Sequence, residues 1–112
     1  MLRPLTAVVC SLQLWAVSAA AADAPQPGDQ TVRQVCSGCH ATGLLGAPQI
    51  GNSAAWSARL KAAGSVDGLL ASASHGKNNM PPRGGVPDLS DAELRAAIEY
   101  MLASSGVHGG LH

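Results

Sequence analysis

Aromatic side chains are scarce in this sequence, and phenylalanine is absent. Two Trp and one Tyr make up the aromatic residues, 3% of the 112-residue chain. Aromatic rings usually contribute much of the volume of a protein core, and a chain of this length can bury only a small core. We therefore expect part of the core to be something other than protein.

An excess of charge of either sign is also missing. Lys and Arg number 7, Asp and Glu number 7, and the formal net charge is +0. A domain that binds nucleic acid typically carries a strongly basic face, and binding to an anionic membrane surface needs clustered cations. The balanced charge therefore argues against nucleic acid and against a membrane surface as partners.

The amino terminus is apolar but too short to span a membrane. After Arg3, an apolar run from Leu5 to Val17 leads into the small residues 18–22. A spanning helix needs roughly 20 consecutive apolar residues, whereas a cation, a shorter apolar run and a small-residue exit are typical of a secretory signal peptide. We expect residues 1–22 to be cleaved and the mature chain to be periplasmic, with an uncleaved anchor as the alternative.

Cleavage after Ala22 leaves one domain, residues 23–112, although Ala20 and Ala24 are alternative cleavage points. Cys10 lies inside the apolar run and is removed with it. The mature chain then keeps two of the three cysteines, and both lie in one short motif.

That motif is Cys36-Ser37-Gly38-Cys39-His40. Two cysteines separated by two residues and followed at once by histidine form the attachment signal for a c-type haem. The chemistry needs this spacing because both thiols add to vinyl groups of one porphyrin while the imidazole reaches the iron. The motif therefore predicts one covalently bound haem c.

Other interpretations of the cysteine pair are weaker. A thioredoxin-like redox pair would need a βαβ context, and no strand-like alternation flanks the motif. A zinc site would need two further ligands, for which only His75, His108 and His112 remain, the last two in a Gly-rich tail.

A haem iron in such a chain usually takes a second protein ligand. The candidates are Met80, Met101, His75, His108 and His112. Met101 lies on the apolar face of a predicted helix, so core packing explains it. Met80 precedes two prolines that restrict the backbone of a polar loop. A thioether on a stiff loop suits an axial ligand, with a surface methionine of no special role as the alternative.

Helical periodicity appears in four segments, so the sequence predicts an all-α fold. They run approximately over Gln30–Gly38, Ala54–Ala63, Val66–His75 and from after Ser90 to Gly106. In the first segment, Asp29 is the expected N-cap, and Val32, Val35 and Cys39 form the expected buried face.

The last segment has the most complete helix signal. Ser90 and Glu93 match a capping box, and Leu89 with Leu94 matches a hydrophobic staple. One apolar stripe follows, made of Leu94, Ile98, Met101 and Leu102. A helix with a single stripe must pack on a partner, and we expect that partner to be the first helix and the haem edge.

These motifs together make the chain similar to the class I c-type cytochromes, and among them to the bacterial cytochrome c5-like group. The resemblance covers nearly all of residues 29–104. It rests on the haem motif followed by Gly46-Ala47-Pro48, Trp56 with Arg59, Met80-Pro81-Pro82, Gly84-Gly85 and Leu89-Ser90-Asp91. It implies a small class I cytochrome c fold with about four short helices around the haem.

The resemblance also implies a role for each site residue. Cys36 and Cys39 would form the thioethers, His40 would be the proximal iron ligand and Met80 the distal ligand. The carbonyl of Pro48 would accept the free N–H of the proximal imidazole.

Trp56 and Arg59 would shield a haem propionate, with a core tryptophan and an exposed arginine as the alternative. Tyr100 would lie where the terminal helices cross.

A six-coordinate iron has no open site for substrate, so this ligand set favours one-electron transfer over enzyme catalysis. We expect a monomer or a subunit of a redox complex, with a redox donor and acceptor docking transiently at the haem edge. Lys77 and Arg83 are candidate docking cations, with a solvated loop as the alternative. A permanently docked haem subunit, and a haem enzyme or sensor with a labile methionine ligand, remain other possible functions.

Overall fold

Four helices form the part of the chain that the computed structural model describes, residues 2–4, 11 and 27–108. These residues contain no β-strand, which confirms the predicted all-α class. None of their helices is long and apolar enough to cross a membrane. The predicted signal peptide, residues 1–22, lies almost entirely outside the described residues.

Helix α1 changes its geometry along its length. It is α-helical over Asp29–Thr31, π-helical over Val32–Cys36 and α-helical again over Ser37–His40. The predicted N-cap was wrong: Gly28, at φ 86°, is the N-cap. Asp29 instead pairs with Arg33 one turn later, at 3.0 Å.

The π-helical turn also changes which side chains α1 buries. Val32, Cys36 and His40 are buried, whereas Val35 and Cys39 of the predicted face are only half-buried. A wider turn rotates the residues that follow it, and such turns occur often at functional sites. After this turn, the first cysteine and the histidine of the motif, four residues apart, both lie on the buried side of the helix.

The next helices follow the predicted limits to within a residue. Helix α2 spans Ser53–Ala63 and α3 spans Val66–His75. The N-cap of α2 is Asn52, whose side chain accepts a hydrogen bond from the backbone N–H of Ala55 at 3.0 Å. Gly64 ends α2 at φ 86°, a conformation that glycine adopts without strain.

Helix α4 spans Asp91–Ser104 and begins with the predicted capping box. Ser90 Oγ accepts from the backbone N–H of Glu93 at 3.1 Å, and the Glu93 carboxylate accepts from the backbone N–H of Ser90 at 3.2 Å. All members of the predicted apolar stripe are buried, namely Leu94, Ile98, Met101 and Leu102. The structure confirms both predictions.

Helices α1 and α4 meet at Gly28, as the sequence predicted for the two ends of the domain. A Cβ atom at Gly28 would lie 2.8 Å from the backbone nitrogen of Ala97 and would overlap the carbonyl of Ala96. Only glycine permits this approach. Tyr100 is half-buried and packs against the apolar core that the helices share.

Candidate haem-binding site

The buried face of the helices borders a cavity of about 210 Å³. Its wall includes every side chain that the sequence singled out for the cofactor: Cys36, Cys39, His40, Pro48, Trp56, Arg59 and Met80. These residues come from α1, α2 and two separate loops, so only the folded chain brings them together. The wall is mainly apolar, with Leu69, Leu94 and Ile98 among its members.

The two cysteines of the motif are free thiols. Burial raises the pKa of the Cys36 thiol to about 11, because a thiolate is poorly solvated there. Cys39 is half-buried and lies beside it on the cavity wall.

His40 is held in one ring orientation. Its Nδ1 lies 2.9 Å from the carbonyl oxygen of Pro48. Because a carbonyl can only accept, Nδ1 carries the proton, and the other ring nitrogen is the unprotonated one that can bind a metal. The ring also stacks on Trp56, with centroids 5.5 Å apart and planes at 29°.

The loop after α1 is fixed by neutral hydrogen bonds. The backbone N–H of Ile50 donates to the carbonyl of His40 at 2.8 Å. Trp56 Nε1 donates to the carbonyl of Gln49 at 3.1 Å, and Trp56 itself is 4% exposed. The residues beside Pro48 are thus anchored independently of the imidazole that Pro48 contacts.

Ser105 anchors the same loop from the far end of the chain. Its buried hydroxyl donates to the carbonyl of Met101 at 2.7 Å and accepts from the backbone N–H of Gly51 at 2.9 Å. Sequence reasoning missed Ser105, since a serine after a helix has many uses and the partner is 54 residues away.

Met80 reaches the cavity from a tight loop between α3 and α4. The backbone of Met80 pairs with that of Lys77 in both directions, at 2.9 and 3.0 Å. Gly76, at φ 85°, lies so close that a Cβ atom would be 3.0 Å from the Pro82 nitrogen. The loop that carries the thioether is therefore tightly folded.

Arg59 and Arg83 both line the cavity but make different contacts. Arg59 is half-buried, and its Nη2 donates to the carbonyl of Gly46 at 3.2 Å in an exposed hydrogen bond. Arg83 was expected to be available for docking, yet its side chain is only 25% exposed and pairs with Asp91. Its guanidinium is therefore committed to internal contacts.

The remaining candidate ligands differ in position. Met101 is buried on α4 and lines the cavity, whereas His75, at the end of α3, and His108 do not line it. His112 lies outside the described residues. Within the described ranges, no three Cys, His, Asp or Glu side chains are close enough to hold a metal ion together.

The residues around this cavity fit a haem c. Two free thiols at the required spacing, an oriented imidazole and a thioether share one apolar wall. Covalent attachment needs the thiols, and haem iron accepts nitrogen and thioether sulfur as axial ligands. A haem would also supply the aromatic bulk that the sequence lacks.

Known proteins resemble the chain over most of its length. A family model described as "Cytochrome C oxidase, cbb3-type, subunit III" matches residues 23–101. Cytochrome c5 of Azotobacter vinelandii is 54% identical over 74 residues, covering 66% of this chain and 89% of that protein. Cytochrome c5 of Ectopseudomonas mendocina is 45% identical over 84 residues, covering 75% of this chain and 97% of that protein.

A solved structure shares the fold. It is titled "Crystal structure of electron transfer complex of nitrite reductase with cytochrome c" and matches with a TM-score of 0.65 and 41% identity. The match covers 72% of this chain and 96% of the solved chain.

Helices and cavity together define a c-type cytochrome. The chain belongs to the cytochrome c family that the matching model describes, and within it to the class I c-type cytochromes of the c5 group. It carries one covalently bound haem c. It is a monohaem electron carrier and not an enzyme, as the sequence predicted.

Proposed function

We propose that Cys36 and Cys39 hold the haem, and that His40 and Met80 are the axial ligands of its iron. The observation that carries this assignment is the shared wall of one cavity, on which all four side chains lie. The hydrogen bond from His40 Nδ1 to Pro48 supports it, because that bond leaves the other ring nitrogen for the iron. The haem supplies one-electron chemistry, and the protein keeps solvent and substrates from the iron.

Trp56 and Arg59 belong to the same proposal as the residues that shield a propionate. Both line the cavity. The Arg59 guanidinium makes one exposed hydrogen bond, to the carbonyl of Gly46, so it has donors left for a carboxylate. Arg59→Gln should therefore lower the reduction potential, because a propionate without its cation stabilises ferric iron; an unchanged potential would contradict the role.

The exposed rim of the cavity is the proposed docking surface for redox partners. Leu44 and Leu45 are 51% and 65% exposed beside the cavity, although both are apolar. Exposed apolar residues next to a cofactor suit a small, transient interface. The cytochrome c of similar fold was solved in a complex with nitrite reductase, which supports docking to a redox enzyme.

Docking can be tested with matched substitutions. Leu44→Gln and Leu45→Gln should slow reduction of the cytochrome by respiratory membranes of its source organism, while ascorbate reduces it at the normal rate. Val86→Gln is the control, because Val86 is also exposed but does not line the cavity. An equal loss with ascorbate, or no loss with membranes, would contradict this docking surface.

Export and cleavage complete the proposal. The cation, apolar run and small residues of segment 1–22 support a signal peptide and a periplasmic protein. Mass spectrometry of the exported holoprotein should find Asp23 as the first residue, with one haem added. A retained amino terminus would instead indicate a membrane anchor.

A permanently docked haem subunit is the second candidate, which the description of the matching family model favours. Gel filtration of native extract separates the two. A free carrier should elute as a small haem protein, whereas a subunit should elute with an oxidase activity.

The ligand assignment is tested by spectra of the protein exported with its haem-attachment machinery. We expect the weak ferric charge-transfer band that thioether ligation produces, and no change of the reduced spectrum under carbon monoxide. Met80→Ala should lose the band and bind carbon monoxide. If the unaltered protein lacks the band, the sixth position belongs to another group or is open.

A further inference from the structure

The guanidinium of Arg83 contacts three other groups of the same chain. Nη1 donates to the carbonyl of Leu89 at 2.7 Å, and Nη2 donates to Ser74 Oγ at 2.9 Å. Nη2 also lies 2.6 Å from a carboxylate oxygen of Asp91. One planar group thus contacts a carbonyl, a hydroxyl and a carboxylate, the fork geometry that suits arginine and not lysine.

These partners lie on either side of the Met80 loop. Ser74 is in the last turn of α3, Asp91 is the first residue of α4, and Leu89 precedes α4 by two residues. Arg83 itself lies three residues after Met80. Its side chain therefore ties the loop to both helices at once.

The backbone at Arg83 has a conformation that residues other than glycine rarely adopt. Its φ is 54°, in the left-handed region, and Gly84 follows at φ 64°. A non-glycine residue adopts this conformation at a cost and keeps it when its surroundings fix it. Glycine would adopt this conformation without that cost. The contacts of the arginine side chain therefore offset the cost at this position.

Few other side-chain hydrogen bonds hold the loop. Among the described residues, the other side-chain hydrogen bond from the loop is that of Asn79, which donates to the carbonyl of Leu45 at 3.2 Å in an exposed position. The paired backbone of Lys77 and Met80 closes the loop on itself but does not fix it to the helices. Arg83 provides the half-buried connection between the Met80 loop and the helices α3 and α4.

We infer that Arg83 is a positioning residue for Met80, whose contacts with α3 and α4 keep the thioether sulfur at the iron. This inference rests on the proposed function, in which Met80 is an axial ligand. Without the Arg83 contacts, the loop moves away from the iron more often. Each time the Met80 sulfur dissociates, an external ligand can bind the iron.

The test measures how fast Met80 leaves the iron. Imidazole is mixed with the ferric holoprotein, and the binding rate at saturating imidazole reports the dissociation of Met80. Arg83→Lys should raise that limiting rate about tenfold, the ratio expected for loss of a charge-assisted hydrogen bond. Ser74→Ala removes one partner and leaves Arg83 in place, so it should raise the limiting rate by a smaller factor. This variant also provides the test if Arg83→Lys fails to fold.

Arg95→Lys is the matched control. Arg95 also joins α3 to α4, through an ion pair with Asp67, but does not line the cavity. The limiting rate of imidazole binding to the Arg95→Lys variant should stay within a factor of two of the rate for the unaltered protein.

The outcomes separate this inference from the ligand assignment. If the unaltered protein shows the thioether band and the Arg83 and Ser74 variants bind imidazole no faster than it does, the positioning role is wrong and the ligand assignment stands. Equal acceleration by Arg95→Lys would show general loosening of the helix pair, which also overturns the positioning role. If the unaltered protein lacks the band, both proposals fall.

Discussion

The loops that follow α1 and α3 reach the same cavity but are held by different kinds of contact. The loop of residues 47–52 is fixed by neutral hydrogen bonds, from His40 to Pro48, from Trp56 to Gln49 and from Gly51 to Ser105. The loop of residues 77–86 is tied to the helices mainly through Arg83, and one of its contacts is an ion pair with an exposed aspartate.

This difference predicts how each side of the cavity responds to its surroundings. Hydrogen bonds between neutral groups depend little on ionic strength, whereas an ion pair with an exposed partner is screened by salt. The loop of residues 47–52, on the histidine side of the cavity, should therefore keep its geometry at low and at high salt concentration. The loop of residues 77–86, on the methionine side of the cavity, should be the first to loosen as the salt concentration rises.

Removing each proposed ligand in turn should give the largest contrast. His40→Ala should give little holoprotein, because α1 loses both its iron ligand and the imidazole that contacts Pro48. Met80→Ala should retain the covalent haem but lower the reduction potential by about 0.1 V or more, within the ~0.8 V that axial ligands span. Haem staining and potentiometry measure the two effects, and comparable holoprotein yields would contradict the asymmetry.

Trp56 should dominate the stability of the histidine side. Trp56→Ala removes a buried ring that stacks on His40 and should lower the free energy of unfolding by about 3–5 kcal/mol. Trp56→Phe keeps a ring but loses the hydrogen bond to Gln49, and should cost about 1–3 kcal/mol. Guanidinium denaturation of the holoproteins provides the numbers, and equal losses in both variants would assign the whole effect to the hydrogen bond.

Ser105→Ala tests the neutral anchor from the far end of the chain. The change deletes a hydroxyl that bridges Met101 and Gly51, and should cost about 1–2 kcal/mol of unfolding free energy. Because no charge is involved, the loss should be the same at low and at high salt. A loss that shrinks with added salt would mean that the two loops are not held differently.

Most features of the fold that the sequence predicted correctly are local ones. The α4 capping box needs only Ser90 and Glu93, three residues apart, and the end of α2 needs only Gly64. The haem motif is also local, since attachment chemistry fixes the order and spacing of Cys36, Cys39 and His40, and the roles proposed for these residues rest on that spacing.

The features that the sequence did not predict depend on distant partners. The π-helical turn over Val32–Cys36 has no local sequence signature, and it is stable only where the folded core accepts the rotated side chains. Gly28 replaced Asp29 as N-cap because of the close approach to Ala96 on α4. Arg83 looked like a surface cation because its partners Ser74 and Asp91 are assembled only by the fold.

Asp91→Asn should give the smallest effect and the sharpest comparison with Ser105→Ala. The substitution removes the charge that pairs with Arg83 but leaves its hydrogen bonds to Leu89 and Ser74. Since Asp91 is exposed, the unfolding free energy should fall by less than about 1 kcal/mol. The difference from the unaltered protein should be measurable at low salt and vanish near 1 M salt, where the Debye length is about 3 Å. A loss that persists at high salt would mean that the methionine loop, like the histidine loop, is held by contacts that salt does not screen.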